Sequence, residues 1–176
     1  MHAFSTTALK RTLRVVLAAL LLAAALTAGL IALAHLEPPL IDAQETPGAP
    51  ENTAGIPGFE TYETPGVCRV SLSCSPAVSG HSAEIYLTNP AENSVLLRAE
   101  LYSVRAVTDE QTGQTSYLPD KLLGKTGFLH PGSYVKSVSV SGLRAGENTK
   151  VLVKISTMQE ETRKSMGIFY IRTTIP

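Results

Sequence analysis

The sequence predicts an all-β protein: a single β-sandwich of about seven strands, preceded by one N-terminal transmembrane helix and a proline-rich linker. Three observations lead to this prediction. Residues 15–34 form an apolar run of twenty residues without a charge. Residues 37–66 contain six prolines and four glycines. From residue 67 onward, apolar and polar residues alternate with a period of two, as they do in strands buried on one face.

The bulk composition limits the class of protein. A chain of 176 residues, less a membrane segment and a linker, has room for one domain. Fifteen Lys and Arg residues balance fifteen Asp and Glu residues. Without a net positive field the chain is not expected to bind nucleic acid.

The N-terminal apolar run is long enough to cross a membrane. At 1.5 Å per residue, twenty helical residues match the roughly 30 Å of bilayer hydrocarbon. Lys10, Arg11 and Arg14 precede the run, whereas acidic residues follow it. The positive-inside rule therefore predicts a cytoplasmic tail over 1–14, a transmembrane helix or uncleaved signal anchor over 15–35, and everything beyond outside the cell membrane.

Cleavage of this segment is the alternative. Ala32 and Ala34 have the small-residue spacing that a signal peptidase recognises. The apolar run nevertheless exceeds the ~7 to 15 residues typical of a signal-peptide core, which favours a retained anchor over cleavage after Ala34.

Residues 36–66 are predicted to be a Pro/Gly-rich linker. Prolines and glycines among acids and threonines leave too little apolar surface to offset the entropy of ordering. We expect a semi-extended stalk that holds the domain, residues 67–176, away from the membrane.

The first strands of the domain follow from alternation. Residues 68–74 form the first predicted strand, with Cys68, Val70, Leu72 and Cys74 facing inward. The second covers 83–88 and the third 97–107. Because "NPAEN" between them has the composition of a tight connection, residues 82–104 are predicted to form a hairpin.

The remaining strands are separated by turn signals. The polar stretch 108–121 is predicted to be an exposed loop or hairpin tip, followed by a short strand over 122–129. Pro131-Gly132 precedes a strand over 134–140, in which Tyr134, Val138 and Val140 share a face. The turn "GLRAGEN" leads to a strand with Val151, Val153 and Ile155 inward, and 168–174 is the last strand. Two sheets with Greek-key connections would close such a chain.

The segments "EIYLTNPAENSVLLRAELY", "LLGKTGFLHPGSYVKSVSV" and "LRAGENTKVLVKIST" carry a family resemblance. Over residues 56–174 the chain resembles small membrane-anchored proteins of Gram-positive bacteria whose extracytoplasmic part is an immunoglobulin-like β-sandwich. The resemblance implies that fold and no biochemical activity. The chain has Asn148 where many such sandwiches have a corner tyrosine.

Catalytic signatures are missing from the sequence. The four histidines have no metal-ligand spacing, and His81 and His130 are interpreted as solvated turn residues. No Gly-x-Ser-x-Gly elbow and no phosphate-binding glycine loop is present. Asp109, Glu110 and Asp120 flank one loop, where a solvated charged loop is favoured over a weak calcium site. The chain is expected to be no enzyme and to use no cofactor or metal.

A partner-binding surface is the remaining candidate site. Tyrosine and arginine on an outward sheet face, and a long loop on a rigid sandwich, are both typical of recognition. The alternatives are that the tyrosines merely cover a sheet and that the loop has no binding role. The candidate residues are Tyr86, Arg98 and Tyr102 on the strands and Asp109, Glu110 and Tyr117 in the loop.

These features predict a non-catalytic accessory, adaptor or adhesive subunit of a cell-envelope assembly, anchored in the membrane and working through protein contacts. The alternative is a cleaved, secreted ligand-binding or inhibitory domain.

The two cysteines are interpreted as buried residues of the first strand. If 68–74 is one strand, six steps of about 3.3 Å separate Cys68 from Cys74 by roughly 20 Å, beyond the ~7 Å limit of a disulfide. A bridge would require the strand to fold back near Ser71. Zinc binding would require further ligands that this stretch lacks.

Overall fold

The computed structural model describes residues 41–64, 66 and 68–176. The predicted cytoplasmic tail, the predicted membrane helix over 15–35 and the start of the predicted linker lie outside the described residues. In the part of the chain that is described, no helix is long and apolar enough to span a membrane. Its helical structure is one short 3-10 turn, Thr53–Gly55.

The prediction of an all-β domain is confirmed. The strands are β1 Thr46–Pro47, β2 Phe59–Thr64, β3 Cys68–Ser73, β4 Val78–Ser79, β5 Ser82–Ala83, β6 Leu87–Asn89, β7 Leu96–Thr108, β8 Thr115–Lys125, β9 Ser133–Val135, β10 Val138–Ser139, β11 Thr149–Met158 and β12 Ser165–Ile175. They form three antiparallel sheets, in the orders β1-β9-β6-β3-β2, β10-β5-β4 and β12-β11-β7-β8.

One hydrophobic core joins the three sheets. The inward faces that alternation predicts on β7 and β11 are confirmed, since Leu97, Ala99 and Leu101 are fully buried and Val151, Val153 and Ile155 lie within the same cluster. Val70, Leu72, Leu87 and Val135 of the five-stranded sheet complete it, with Ala83 and Val138 of the three-stranded sheet.

Part of the range assigned to the linker belongs to a sheet. Strand β2 pairs with β3 from Phe59 opposite Ser73 to Thr64 opposite Cys68. Prolines are compatible with this because they lie outside β2, or on the edge strand β1, where no N–H is required. As a result Ser71 and Ser73 are buried, although they alternate with the predicted inward residues of this strand: Ser73 donates to the Pro57 carbonyl at 2.6 Å.

The predicted hairpin over 82–104 is wrong. Strand β6 pairs with β3 and β9, whereas β7 pairs with β8 and β11. The "NPAEN" connection therefore crosses from one sheet to another. The fully buried Asn89 explains the crossing, since its side-chain amide donates to the carbonyls of Val95 and Leu129, both at 2.9 Å.

Residues 108–121, predicted to be an exposed loop or hairpin tip, contain a hairpin tip, but most of this range is strand. Strands β7 and β8 stay paired as far as Thr108 opposite Thr115, and only residues 109–114 form the turn. The Asp109 carboxylate accepts hydrogen bonds from the backbone N–H groups of Gln111 and Thr112, at 2.8 and 2.9 Å. Such an Asx turn closes a hairpin within a polar sequence that has no apolar alternation.

Two predicted strands each divide into two. Tyr86, at a φ of 46°, separates β5 from β6, so the second predicted strand serves two sheets. The strand predicted over 134–140 likewise divides into β9 and β10, which belong to two different sheets. Val135 is consequently fully buried, while Tyr134, predicted to face inward, is only partly covered.

Both cysteines are free thiols, so the interpretation without a bridge is confirmed. Cys68 is buried in β3, and burial raises the pKa of its thiol. Cys74 lies just past the strand, half-buried, with its Sγ 3.0 Å from the Tyr62 hydroxyl.

Candidate functional site

The four-stranded sheet turns one face to the core and the other to solvent. We call the second the outer face. The strand register shows which residues share this face. Leu152 of β11 lies between Arg172 of β12 and Tyr102 of β7. Tyr102 in turn lies opposite Leu122 of β8. The outer face comprises Arg98, Glu100, Tyr102, Leu122, Lys150, Leu152, Lys154, Ser156, Ile168, Tyr170, Arg172 and Thr174.

The centre of the outer face is an ionic cluster in which two cations share the Glu100 carboxylate. The Glu100 carboxylate is 2.7 Å from Lys154 Nζ and 3.2 Å from an Arg98 nitrogen, and it accepts a hydrogen bond from the Tyr102 hydroxyl at 3.3 Å. Burial favours a higher pKa for Glu100, but the Lys154 hydrogen bond and the Arg98 charge outweigh it and lower the pKa. Glu100 therefore remains ionised and holds the two cations in place.

Exposed apolar side chains lie around this cluster. Ile168 is 55% exposed, Tyr170 50%, Leu122 47% and Met166 44%. These large apolar side chains lie outside the hydrophobic core, on one sheet, and exposed apolar groups of this kind are a common feature of contact surfaces.

Strand β12 is an open edge of this sheet. The Thr174 N–H points away from β11, because it donates to the Cys74 carbonyl at 3.4 Å. Backbone direction alternates along an antiparallel strand, so the N–H and C=O groups of Ile168, Tyr170 and Arg172 also point away from β11. Among the residues that the structure describes, no strand pairs with this side of β12.

The opposite edge of the sheet, β8, carries features that discourage pairing. It contains Pro119, Lys121 and Lys125, and prolines and lysines are the residues that protect natural sheet edges. From Ser165 to Ile171, β12 has neither a proline nor a charge. The two edges of one sheet thus differ in their capacity to accept another strand.

The end of the β7–β8 ribbon curls over the outer face. The pairing of β7 with β8 shifts register on both sides of Tyr102, and such bulges bend and twist a ribbon. Tyr117 of β8 consequently reaches across to β11 and β12, with its ring centroid 4.8 Å from Lys150 Nζ and 5.9 Å from Arg172 Cζ. Beside the ribbon lies an open hollow of about 410 Å³, which we call the groove; it is lined by the ribbon, by β11 and β12, and by Cys74 and Ser75.

A second polar cluster joins three distant segments. His130 Nδ1 is 3.0 Å from a Glu45 carboxylate oxygen, and His130 Nε2 is 3.5 Å from Glu160. The Ser133 hydroxyl donates to Glu45 and not to the imidazole, so the arrangement does not activate a serine nucleophile. The interpretation of His130 as a solvated turn residue is wrong, because Glu45 is held beside it by the pairing of β1 with β9.

This cluster predicts a pH-dependent stability. The Glu45 hydrogen bond raises the pKa of His130, so its stabilisation is complete below about pH 6.5 and is lost as pH rises through the folded value. For Glu45, burial acts to raise the pKa, but hydrogen bonds from Ser133 and His130 lower it overall. Its stabilisation is present above about pH 4.5 and is lost as pH falls through the folded value.

We therefore expect His130→Gln to reduce the free energy of unfolding more at about pH 5.5 than at about pH 8.5, as urea unfolding would measure. The exposed His81 is the matched control, and His81→Gln is expected to have the same small effect at both pH values. Equal destabilisation by His130→Gln at the two pH values would contradict the prediction.

The structure brings together three of the six sequence-predicted surface residues. Arg98 and Tyr102 share the outer face, and Tyr117 overhangs it from the ribbon. Asp109 and Glu110 lie at the exposed turn of the ribbon. Tyr86 lies between β5 and β6 in the other sheets, beneath Lys136, whose Nζ is 5.8 Å from its ring centroid.

Sequence reasoning missed the β12 edge and the groove residues Lys150 and Arg172. A signal for the edge was present in the uncharged stretch "SMGIFYI", which lies between Lys164 and Arg172. The groove had no local signal, because it depends on a curl of the ribbon across two other strands.

Over residues 41–64, 66 and 68–176, no three His, Cys, Asp or Glu side chains converge as ligands for an ion.

Comparisons of the chain with protein-family models, with curated proteins and with solved structures found no match. Its function is therefore inferred from the geometry of the outer face, the β12 edge and the groove.

Proposed function

We propose that the protein is a non-catalytic binding module: a membrane-anchored, extracytoplasmic domain of immunoglobulin-like sandwich type that serves as an accessory, adaptor or adhesive subunit of a cell-envelope assembly. The observation that carries the binding role is the open, uncharged edge of β12 beside exposed apolar residues. The anchor and its orientation are supported by the apolar run over 15–34 and the cations before it. The sandwich type is supported by sheets that enclose one core.

The proposed partner contributes an extended polypeptide segment. The outward N–H and C=O groups of Ile168, Tyr170 and Arg172 would pair with its backbone, which supplies affinity with little dependence on sequence. Alternate side chains of that segment would lie beside Ile168 and Tyr170, so apolar residues at those positions are preferred. No charge from Ser165 to Ile171 opposes such packing.

The ionic cluster suits a contact surface better than a proton-transfer site. Glu100 is engaged by Lys154, Arg98 and Tyr102, and its low pKa keeps it ionised. A carboxylate held in this way orients its neighbours and offers no readily exchanged proton.

A second candidate is a cleaved, secreted ligand-binding or inhibitory domain. The groove favours it, since a hollow of about 410 Å³ fits a small ligand. Mass measurement of the mature protein would separate the two candidates: a chain that begins at His35 supports secretion, and a chain that retains its first residues supports anchoring.

The edge is tested with a proline that changes only the open side of β12. Tyr170→Pro removes an N–H that points away from β11, so the pairing of β12 with β11 is retained. A photo-crosslinker placed at Ile168 in the intact protein would first capture the partner, and mass spectrometry would identify the attached segment. With that partner purified, we expect Tyr170→Pro to weaken binding at least about tenfold.

Two controls make the result specific. Tyr170→Ala retains the N–H and loses only the side chain, so its effect is expected to be smaller than that of Tyr170→Pro. A crosslinker at Ser116, on the protected β8 edge, is expected to capture nothing. Unchanged affinity in a folded Tyr170→Pro variant would refute docking along β12.

A further inference from the structure

The groove concentrates positive charge around one aromatic ring. Lys150 Nζ and Arg172 Cζ lie 4.8 and 5.9 Å from the centroid of Tyr117, and Lys150 Nζ also donates to the Tyr117 hydroxyl at 3.4 Å. In the pairing of β11 with β12, Lys150 lies opposite Thr174 and Leu152 opposite Arg172. Lys150 and Arg172 are therefore diagonal neighbours on the outer face, and both point toward the overhanging ring.

In the described part of the chain, neither Lys150 nor Arg172 forms an ion pair. Within the described residues, no carboxylate lies within ion-pair distance of Lys150 or Arg172, and no Asp or Glu lines the groove. Five other cations of the described residues do pair with a glutamate: Arg69, Arg98, Lys136, Arg144 and Lys154. Two unmatched positive charges held beside one ring repel each other, and an anion between them relieves that repulsion.

The rest of the groove offers both apolar and hydrogen-bonding contacts. Leu152 forms part of its floor and is only 4% exposed, although it lies on the outer face, away from the core. Thr174 and Asn148 line the groove and supply a hydroxyl and an amide. The volume of about 410 Å³ is within the range of small-molecule sites.

We propose that the groove binds an organic anion. Its oxyanion, a phosphate or a carboxylate, is held between Lys150 and Arg172, and its apolar part packs against Leu152 and the Tyr117 ring. The Arg172 guanidinium presents a planar pair of N–H donors that matches either oxyanion, and Lys150 adds a point charge. This site does not depend on strand docking at β12.

The test is a titration of the full chain with three probes of similar size. Phenyl phosphate and benzoate represent the two oxyanions, and phenol is the neutral analogue. Binding would be followed by amide chemical shifts of Tyr117, Lys150 and Arg172. We expect saturable shifts with at least one anion below about 10 mM, and at least tenfold weaker binding of phenol. The stronger anion identifies the source as a phosphate or a carboxylate.

Substitutions test whether Lys150 and Arg172 form the anion site. Lys150→Gln and Arg172→Gln are each expected to weaken binding of the preferred anion by about tenfold. Lys121→Gln, an exposed lysine on β8 that does not line the groove, is the matched control and should leave binding unchanged. Both groove positions are exposed, so urea unfolding should report folded variants.

Three outcomes would overturn the proposal. These are the absence of shifts with both anions, equal binding of phenol, and equal weakening by Lys121→Gln. Each leaves docking at β12 untouched, because that docking is measured with a protein partner and the Tyr170→Pro variant.

Discussion

Replacing Asn89 with alanine is expected to lower the free energy of unfolding by about 3 kcal/mol. Asn89 is fully buried, and its amide donates to the carbonyls of Val95 and Leu129 while its oxygen accepts from Asn93 at 2.6 Å. Alanine would leave the Val95 carbonyl without this donor inside the protein, where an unsatisfied polar group is costly. Urea unfolding followed by tyrosine fluorescence would measure the change, since the chain has no tryptophan.

A matched control exists in the same turn. Glu92 makes one exposed ion pair, 2.9 Å from Arg69, and such pairs contribute about 0–1 kcal/mol. Glu92→Ala is therefore expected to be nearly neutral. If Asn89→Ala cost no more than Glu92→Ala, the buried amide would not hold the crossing between sheets.

A second large effect is expected from Gly127→Ala, with a loss of about 1–3 kcal/mol of unfolding free energy. A methyl group at Gly127 would collide with the backbone of Asp42, and backbone cannot rotate away as a side chain can. At this point the Asp42 N–H donates to the Phe128 carbonyl at 2.9 Å, and the Asp42 carboxylate accepts from the Gly127 N–H at 2.6 Å. The substitution should therefore also remove the protection of the Asp42 amide against hydrogen exchange.

Gly55→Ala is the matched control for this substitution. The nearest atom to a methyl group at Gly55 is 3.0 Å away and belongs to the flexible, exposed side chain of Asn52. A small change in stability is expected there. Retained protection of the Asp42 amide in Gly127→Ala would show that this segment does not depend on the close approach.

The strands that sequence reasoning placed correctly are those buried on one face in an uninterrupted run. On β7 as far as Leu101, and along β11, the inward side chains meet the same core, so alternation in sequence becomes alternation in burial. Alternation was misleading in β3, where β2 covers Ser71 and Ser73 as well. A strand in the middle of a sheet can bury polar residues on its second face when a neighbour supplies hydrogen bonds, as Thr61 does for Ser71 at 2.8 Å.

The sequence correctly predicted a turn at "NPAEN", but it did not predict which strands this turn connects. "NPAEN" was correctly predicted to be a tight connection, and it joins two sheets instead of two neighbouring strands. Local sequence determines that a chain turns at Pro90, whereas the direction of the exit depends on which carbonyls Asn89 meets, and these come from residues 6 and 40 positions away. The same is true of β2, which could not be predicted locally because it is a strand only through its pairing with β3.

The predicted surface residues show the same difference between what local sequence predicts and what tertiary structure decides. Arg98 and Tyr102 were correctly placed on one outward face, since residues four apart on a strand share a side. Tyr117 was selected as a loop residue, and its proximity to Lys150 and Arg172 results from register shifts in the ribbon.

The sequence by itself determined the all-β class and the inward faces of the long strands, and it favoured unbridged cysteines. Only the tertiary structure decided the sheet order, the open edge of β12, the Glu45–His130–Glu160 cluster and the groove. The physical reason is that strand alternation is a local property of one chain segment. Edges, ion pairs and grooves arise from pairings between segments distant in sequence, which the packing of a shared core selects.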